Sequence, residues 1–95
     1  MSTGPGRRKA VILEDPEHNA KLCLDAKELE LLMQVVGLVT QHGGEFAVCW
    51  CDPSQRREVE FQVKKLSDGN FYDEASDVRF SQQNLDDARK GLSLL

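Results

Sequence analysis

Along residues 45–51 the chain alternates. Phe46, Val48 and Trp50 fall on one side, and Ala47, Cys49 and Cys51 on the other. Residues 58–66 repeat the alternation, with Val59, Phe61 and Val63 set against Glu60, Gln62 and Lys64. Period two with aromatic and β-branched residues predicts strands, and the intervening Asp52-Pro53-Ser54-Gln55 predicts the turn of a hairpin. The two apolar sets are expected to share one face. Their natural partner is the preceding stretch, Ala26–His42, where Leu29, Leu32, Met33, Val36 and Val39 recur at spacings of three and four. That spacing puts one apolar stripe on a helix. Leu31, Val35 and Leu38 widen the stripe, so the helix is expected to be buried on more than one side.

The helix carries its own punctuation. Asp25 can accept a free backbone N–H of the first turn, and Glu28, three residues on, completes a capping box. Gly43-Gly44 ends it, since glycine takes up a left-handed cap without penalty. Gly37 costs about 1 kcal/mol against alanine inside a helix and is expected to mark a close backbone approach to the sheet. Upstream, Lys9–Glu14 and Ala20–Leu24 read as short strands around the turn residues Asp15-Pro16-Glu17-His18-Asn19, an N-terminal hairpin. Downstream, Ser67-Asp68-Gly69-Asn70 is a turn. Phe71 and Tyr72 suggest a short strand, followed by an acidic, loop-like stretch with Asp73, Glu74 and Asp77. Ser81 is placed to cap a last helix over residues 82–95, with Leu85, Ala88, Leu92 and Leu95 on one face. The element order is ββ-α-ββ(β)-α. The fold class is α+β: a two-layer antiparallel sheet of four to five strands with two helices, one domain over residues 9–95 behind a flexible arm, residues 1–8.

Composition narrows the function classes. Ninety-five residues are enough for one modest core. A net charge of −4 argues against nucleic acid as a main partner, because that affinity rests on Lys and Arg neutralising phosphates. Arg7-Arg8-Lys9 is the one basic cluster, and it reads as a solvated terminus. No apolar run reaches the roughly 18–20 residues that span a bilayer, and the N-terminus lacks the apolar core of a signal peptide. Three cysteines without framework spacing do not make a disulfide scaffold. A cytoplasmic or nuclear location is expected, with no membrane partner.

Candidate chemistry is sparse. Cys49 and Cys51, two apart in a strand, point to one face and could be joined by Cys23 and by His18 or His42 in a metal- or thiol-dependent site. Zinc wants four ligands, however, and a cysteine behaves as a small apolar group, so packing in the core is the expectation for this pair. The acidic stretch from Asp68 fails the calcium-loop pattern, with Asp73 where the glycine should stand and Arg79 where the bidentate acid should. Gly43-Gly44 lacks the Lys-Ser/Thr of a phosphate loop. Neither histidine has a nucleophile in a recognisable context. No cofactor is expected.

From the helix onward the chain resembles RWD domains, a group that includes the ends of kinetochore linker subunits. The matching parts are Lys27–His42, Phe46–Trp50, Val59–Leu66, the Phe71-Tyr72-Asp73 bend and residues 82–95, about two thirds of the chain. The Cys-Asp-Pro turn and the Tyr-Asp followed by an acidic step are similar too. The resemblance lies in element order rather than in a specific motif. It implies a non-catalytic docking module, commonly paired with another such domain, and carries over no catalytic residue. On both grounds the expected function is a protein–protein interaction module, a subunit or adaptor of an intracellular complex, with a protein partner or a second copy of itself. Phe71, Tyr72, Leu92, Leu94 and Leu95 are the expected contact residues: aromatics beside an acidic loop and an apolar helix end.

Overall fold

The computed structural model describes residues 10–53 and 56–94. The N-terminal arm with Arg7-Arg8-Lys9, the Ser54-Gln55 part of the central turn, and Leu95 lie outside the described residues. The elements are β1 (Ala10–Asp15), β2 (Ala20–Asp25), α1 (Ala26–His42), β3 (Glu45–Asp52), β4 (Arg57–Lys65), β5 (Phe71–Asp73), β6 (Val78–Phe80) and α2 (Gln82–Leu94). They form an α+β fold with two antiparallel sheets, the β1–β2 hairpin and a four-stranded meander in the order β3-β4-β5-β6.

The central hairpin forms as the alternation predicts. Phe46 pairs with Val63, Val48 with Phe61 and Trp50 with Val59, so all six side chains share the inner face. Phe61 and Val63 are fully buried. Against them lies α1, whose Leu29, Leu32, Val35, Val36 and Val39 are all buried. Burying one such side chain stabilises the fold by about 1.5–3 kcal/mol, which is what holds a helix that propensity alone would leave marginal. Leu13 and Leu24 of the first hairpin and Leu85 and Ala88 of α2 complete the same core.

The helix ends where its sequence says. The Glu28 backbone N–H donates to Asp25 Oδ1 at 2.8 Å, and the Asp25 N–H donates to Glu28 Oε1 at 3.0 Å. Substituting such an N-cap typically costs about 1 kcal/mol. At the other end the Gly43 N–H donates to the Val39 carbonyl at 2.8 Å. Gly43 has φ 75° and ψ 179°, a region open essentially to glycine alone rather than the left-handed helical cap. α2 is capped as expected from Ser81. Its Oγ accepts the Asn84 N–H at 3.1 Å while Asn84 Oδ1 accepts the Ser81 N–H at 2.9 Å.

Four readings need correction. Gly37 is exposed, and a Cβ built there meets nothing within 4 Å, so it marks no close approach. The acidic stretch is solvated only in part: Glu74 and Asp77 are exposed in the turn that joins β5 to β6, while in the strands Phe71 stands opposite Phe80 and Asp73 opposite Val78. Asp73 itself is wholly buried. Its Oδ1 accepts the Gln62 N–H at 2.8 Å and its Oδ2 the Ser76 hydroxyl at 2.6 Å, which fixes the turn to β4. Cys23, Cys49 and Cys51 are exposed, because the outer face of the sheet, where Cys49 and Cys51 stand opposite Glu60 and Glu58, carries no second layer. Leu38, read as widening the buried stripe, is 41 % exposed. No helix is long and apolar enough to cross a membrane among the described residues.

Candidate interaction surface

The two edges of the meander, β3 and β6, are treated differently. Hydrogen bonds of Gln62 show which way the backbone points. The Gln62 N–H goes to the Asp73 carboxylate, and the Gln62 carbonyl accepts the Glu74 N–H. Both backbone groups of Gln62 therefore face β5, away from β3. Antiparallel pairs alternate between hydrogen-bonded and non-bonded, so Gln62 and its partner Ala47 are a non-bonded pair. The unbroken register of β3 and β4 extends the alternation along the strand. Phe46, Val48 and Trp50 bond to β4, while Glu45, Ala47, Cys49 and Cys51 turn their N–H and C=O groups outward. No strand pairs with that outward row among the described residues.

The opposite edge is closed. By the same alternation Arg79 of β6 points its backbone outward, and its N–H donates to Asp15 Oδ2 of the first hairpin at 2.9 Å. The same oxygen receives His18 Nδ1 at 2.5 Å. Arg79 Nη2 reaches Glu17 Oε2 at 2.6 Å. Burial alone would push the Asp15 carboxyl up, but the hydrogen bonds from His18 and the Arg79 backbone, with their charges, outweigh it and hold it below its ordinary 3.8. His18 is raised above 6.5 by the Asp15 hydrogen bond and by the negative charges of Asp15 and Asp77. Tyr72, 6.0 Å from the His18 ring, donates its hydroxyl to Asp77. That bond, with some burial and the neighbouring carboxylates, pushes the phenol up to about 12. The arrangement is a polar clasp: it fastens the first hairpin over the β6 edge, and its carboxylates are engaged with groups of the clasp itself.

Around the open edge the apolar surface is incompletely covered. Phe46, Val48 and Trp50 are half-buried, whereas Val59, Phe61 and Val63 one strand further in are buried. Leu31, Leu38 and His42 of α1, seven and four residues apart, lie on one line of the helix. Leu31 borders the same cleft as Trp50, and the His42 ring lies 6.1 Å from that of Phe46. This line of α1 therefore runs beside β3, with the exposed Leu38 between its ends. On the far side of Glu30 and Gln34, a groove of about 540 Å³ separates α1 from α2, lined by Leu29, Met33, Arg89 and Leu92 among others.

The residues expected from sequence to contact a partner are scattered by the fold. Leu92 is partly buried and lines the α1–α2 groove. Phe71 is 4 % exposed and stacks on Phe80 at 5.9 Å. Pairing with β6 draws it into the core, so it has no surface to give a partner. Tyr72 is half-buried on the outer face, with Lys64 Nζ 5.6 Å from its ring, and belongs to the clasp. Leu94 ends α2, but its side chain, like all of Leu95, lies outside the described residues. Cys49 and Cys51 do share a face, yet Cys23 sits in the other sheet opposite Ile12. No group of three or more His, Cys, Asp or Glu able to hold a metal forms among the described residues. The β3 edge was the residue set that sequence reasoning missed. Its signal was present, since Phe46–Cys51 is free of charge, proline and glycine. No known family model, curated protein or solved structure matches the chain.

Proposed function

We propose that this chain is a protein–protein interaction module, a subunit or adaptor of an intracellular assembly, and that it engages its partner by strand addition at β3. The observation that carries the reading is the contrast between edges. An open edge offers a row of unpaired donors and acceptors, and proteins blunt such edges with charges, prolines, bulges or covering segments. β6 is covered by a hairpin and a carboxylate, while β3 keeps a regular run, Phe46–Cys51, without a charge between Glu45 and Asp52 and with its aromatics half-exposed. In strand addition the main-chain bonds supply affinity and alternate side chains supply specificity. Here Phe46, Val48, Trp50 and the Leu31–Leu38 flank of α1 would supply the second. Free, exposed cysteines fit a reducing compartment. The resemblance to RWD domains points the same way, to a docking module working in pairs.

The test is capture from cell extract on two baits, the intact chain and Ala47→Lys. Ala47 is exposed on the outer face, so the lysine leaves the core alone and puts a charge on the open edge. Proteins retained by the intact chain and lost from the variant support the reading. An identical set on both baits contradicts it.

A further inference from the structure

We propose that the occupant of the β3 edge is β3 of a second copy of this chain, paired antiparallel about a twofold axis at Val48, which joins two meanders into one eight-stranded sheet. The inference rests on the reading of β3 as a pairing edge and adds the partner and the register.

The strand is complementary to itself in that register. A twofold normal to the sheet keeps inner faces together, so residues that meet must point to the same face. With Val48 opposite its twin, Phe46 meets the other copy's Trp50, at both ends of the seam. These are inner-face positions whose backbones bond to β4, so across the seam they form non-bonded pairs, the kind whose side chains approach most closely. The outward-pointing Ala47 meets Cys49, and Glu45 meets Cys51, so every outward N–H finds a carbonyl and no acid faces an acid. Neighbouring registers lose this match. Centring on Cys49 sets Phe46 opposite Asp52. Centring on Ala47 sets Trp50 opposite Gly44, and a shift by one residue turns the apolar face to solvent. The twofold also brings the two Leu31–Leu38 flanks to the seam, which accounts for a leucine 41 % exposed on a helix otherwise packed on its sheet.

Sedimentation equilibrium on the purified intact chain tests the proposal, with two edge variants and one cross-link. The expected result is a dimer for the intact chain and monomers for Ala47→Lys and for Cys49→Pro. The Cys49 N–H points outward, so proline there removes no bond to β4 and is tolerated at an edge. Ala47→Lys serves if the proline variant fails to fold. In a chain with Cys23, Cys49 and Cys51 all changed to Ala, Val48→Cys should link to itself on mild oxidation. Non-bonded pairs lie at about 4.5 Å between Cα atoms, inside the disulfide range of about 4.4–6.8 Å. Trp50→Cys in the same background should not link. An intact chain that stays monomeric at submillimolar concentration overturns self-pairing. So does a dimer that ignores Ala47→Lys, or that links through Trp50→Cys and not Val48→Cys. If the chain is monomeric and Ala47→Lys still loses captured proteins, the pairing edge stands with a different occupant. If neither the dimer nor the capture responds, both readings fall.

Discussion

Three side chains, Tyr72, Asp15 and His18, show how single groups set the fold's response to pH. Tyr72 is the chain's one tyrosine, so its ultraviolet titration is unambiguous. A phenol that donates to Asp77 can do so only while protonated, and deprotonation is deferred to about 12. Asp77→Asn should bring the midpoint down toward the ordinary value of 10.0. A wild-type midpoint already at that value would mean the bond is not made in solution. The Asp15–His18 pair works in both directions. Asp15 is depressed below 3.8 in the folded state, so its contribution is present above that pH and lost as pH falls through the lowered value. His18 is raised above 6.5, so its contribution is complete below that pH and lost as pH rises through the higher value. The clasp is therefore strongest between the two. The thermal midpoint of the intact chain should decline as pH rises past 6.5, and His18→Gln should remove that part of the decline. Parallel profiles for the two proteins would show that the clasp does not hold charge.

At the scale of elements, local signals were legible and contact-dependent ones were not. The span of α1 followed from Asp25, Glu28 and Gly43, because caps are made by residues within a turn of one another. The shared face of β3 and β4 followed from period two. Phe61 sits at its centre, wholly buried, and Phe61→Ala should cost about 3–5 kcal/mol, read as a lowered urea midpoint. A loss below about 1 kcal/mol, the range of surface changes, would put the core on the other face. What sequence left hidden depended on the number of layers. β6 is three residues long with an arginine in its middle, too short for alternation to register. Missing it left Phe71 and Asp73 with no reason to be buried, while Glu74 and Asp77 are exposed as the sequence suggests. The cysteines followed the alternation correctly, but period two does not say which face a second layer will cover.

At the scale of the whole molecule, the account comes down to the open β3 edge of a meander whose opposite edge the first hairpin covers. Among the described residues of the candidate site, Leu92 lines the groove between α1 and α2 and Tyr72 is half-buried on the outer face, whereas Phe71 is in the core. The stronger feature, β3, is apolar enough to be mistaken for an interior strand, and only its place in the sheet order reveals it as an edge. The most direct measurement is amide hydrogen exchange along β3 as a function of protein concentration. Phe46, Val48 and Trp50, bonded to β4, should be protected at every concentration. Ala47, Cys49 and Cys51 should be protected at high concentration and should lose that protection on dilution. Exchange of these three at the free-solvent rate at all concentrations would contradict the pairing of β3 with itself.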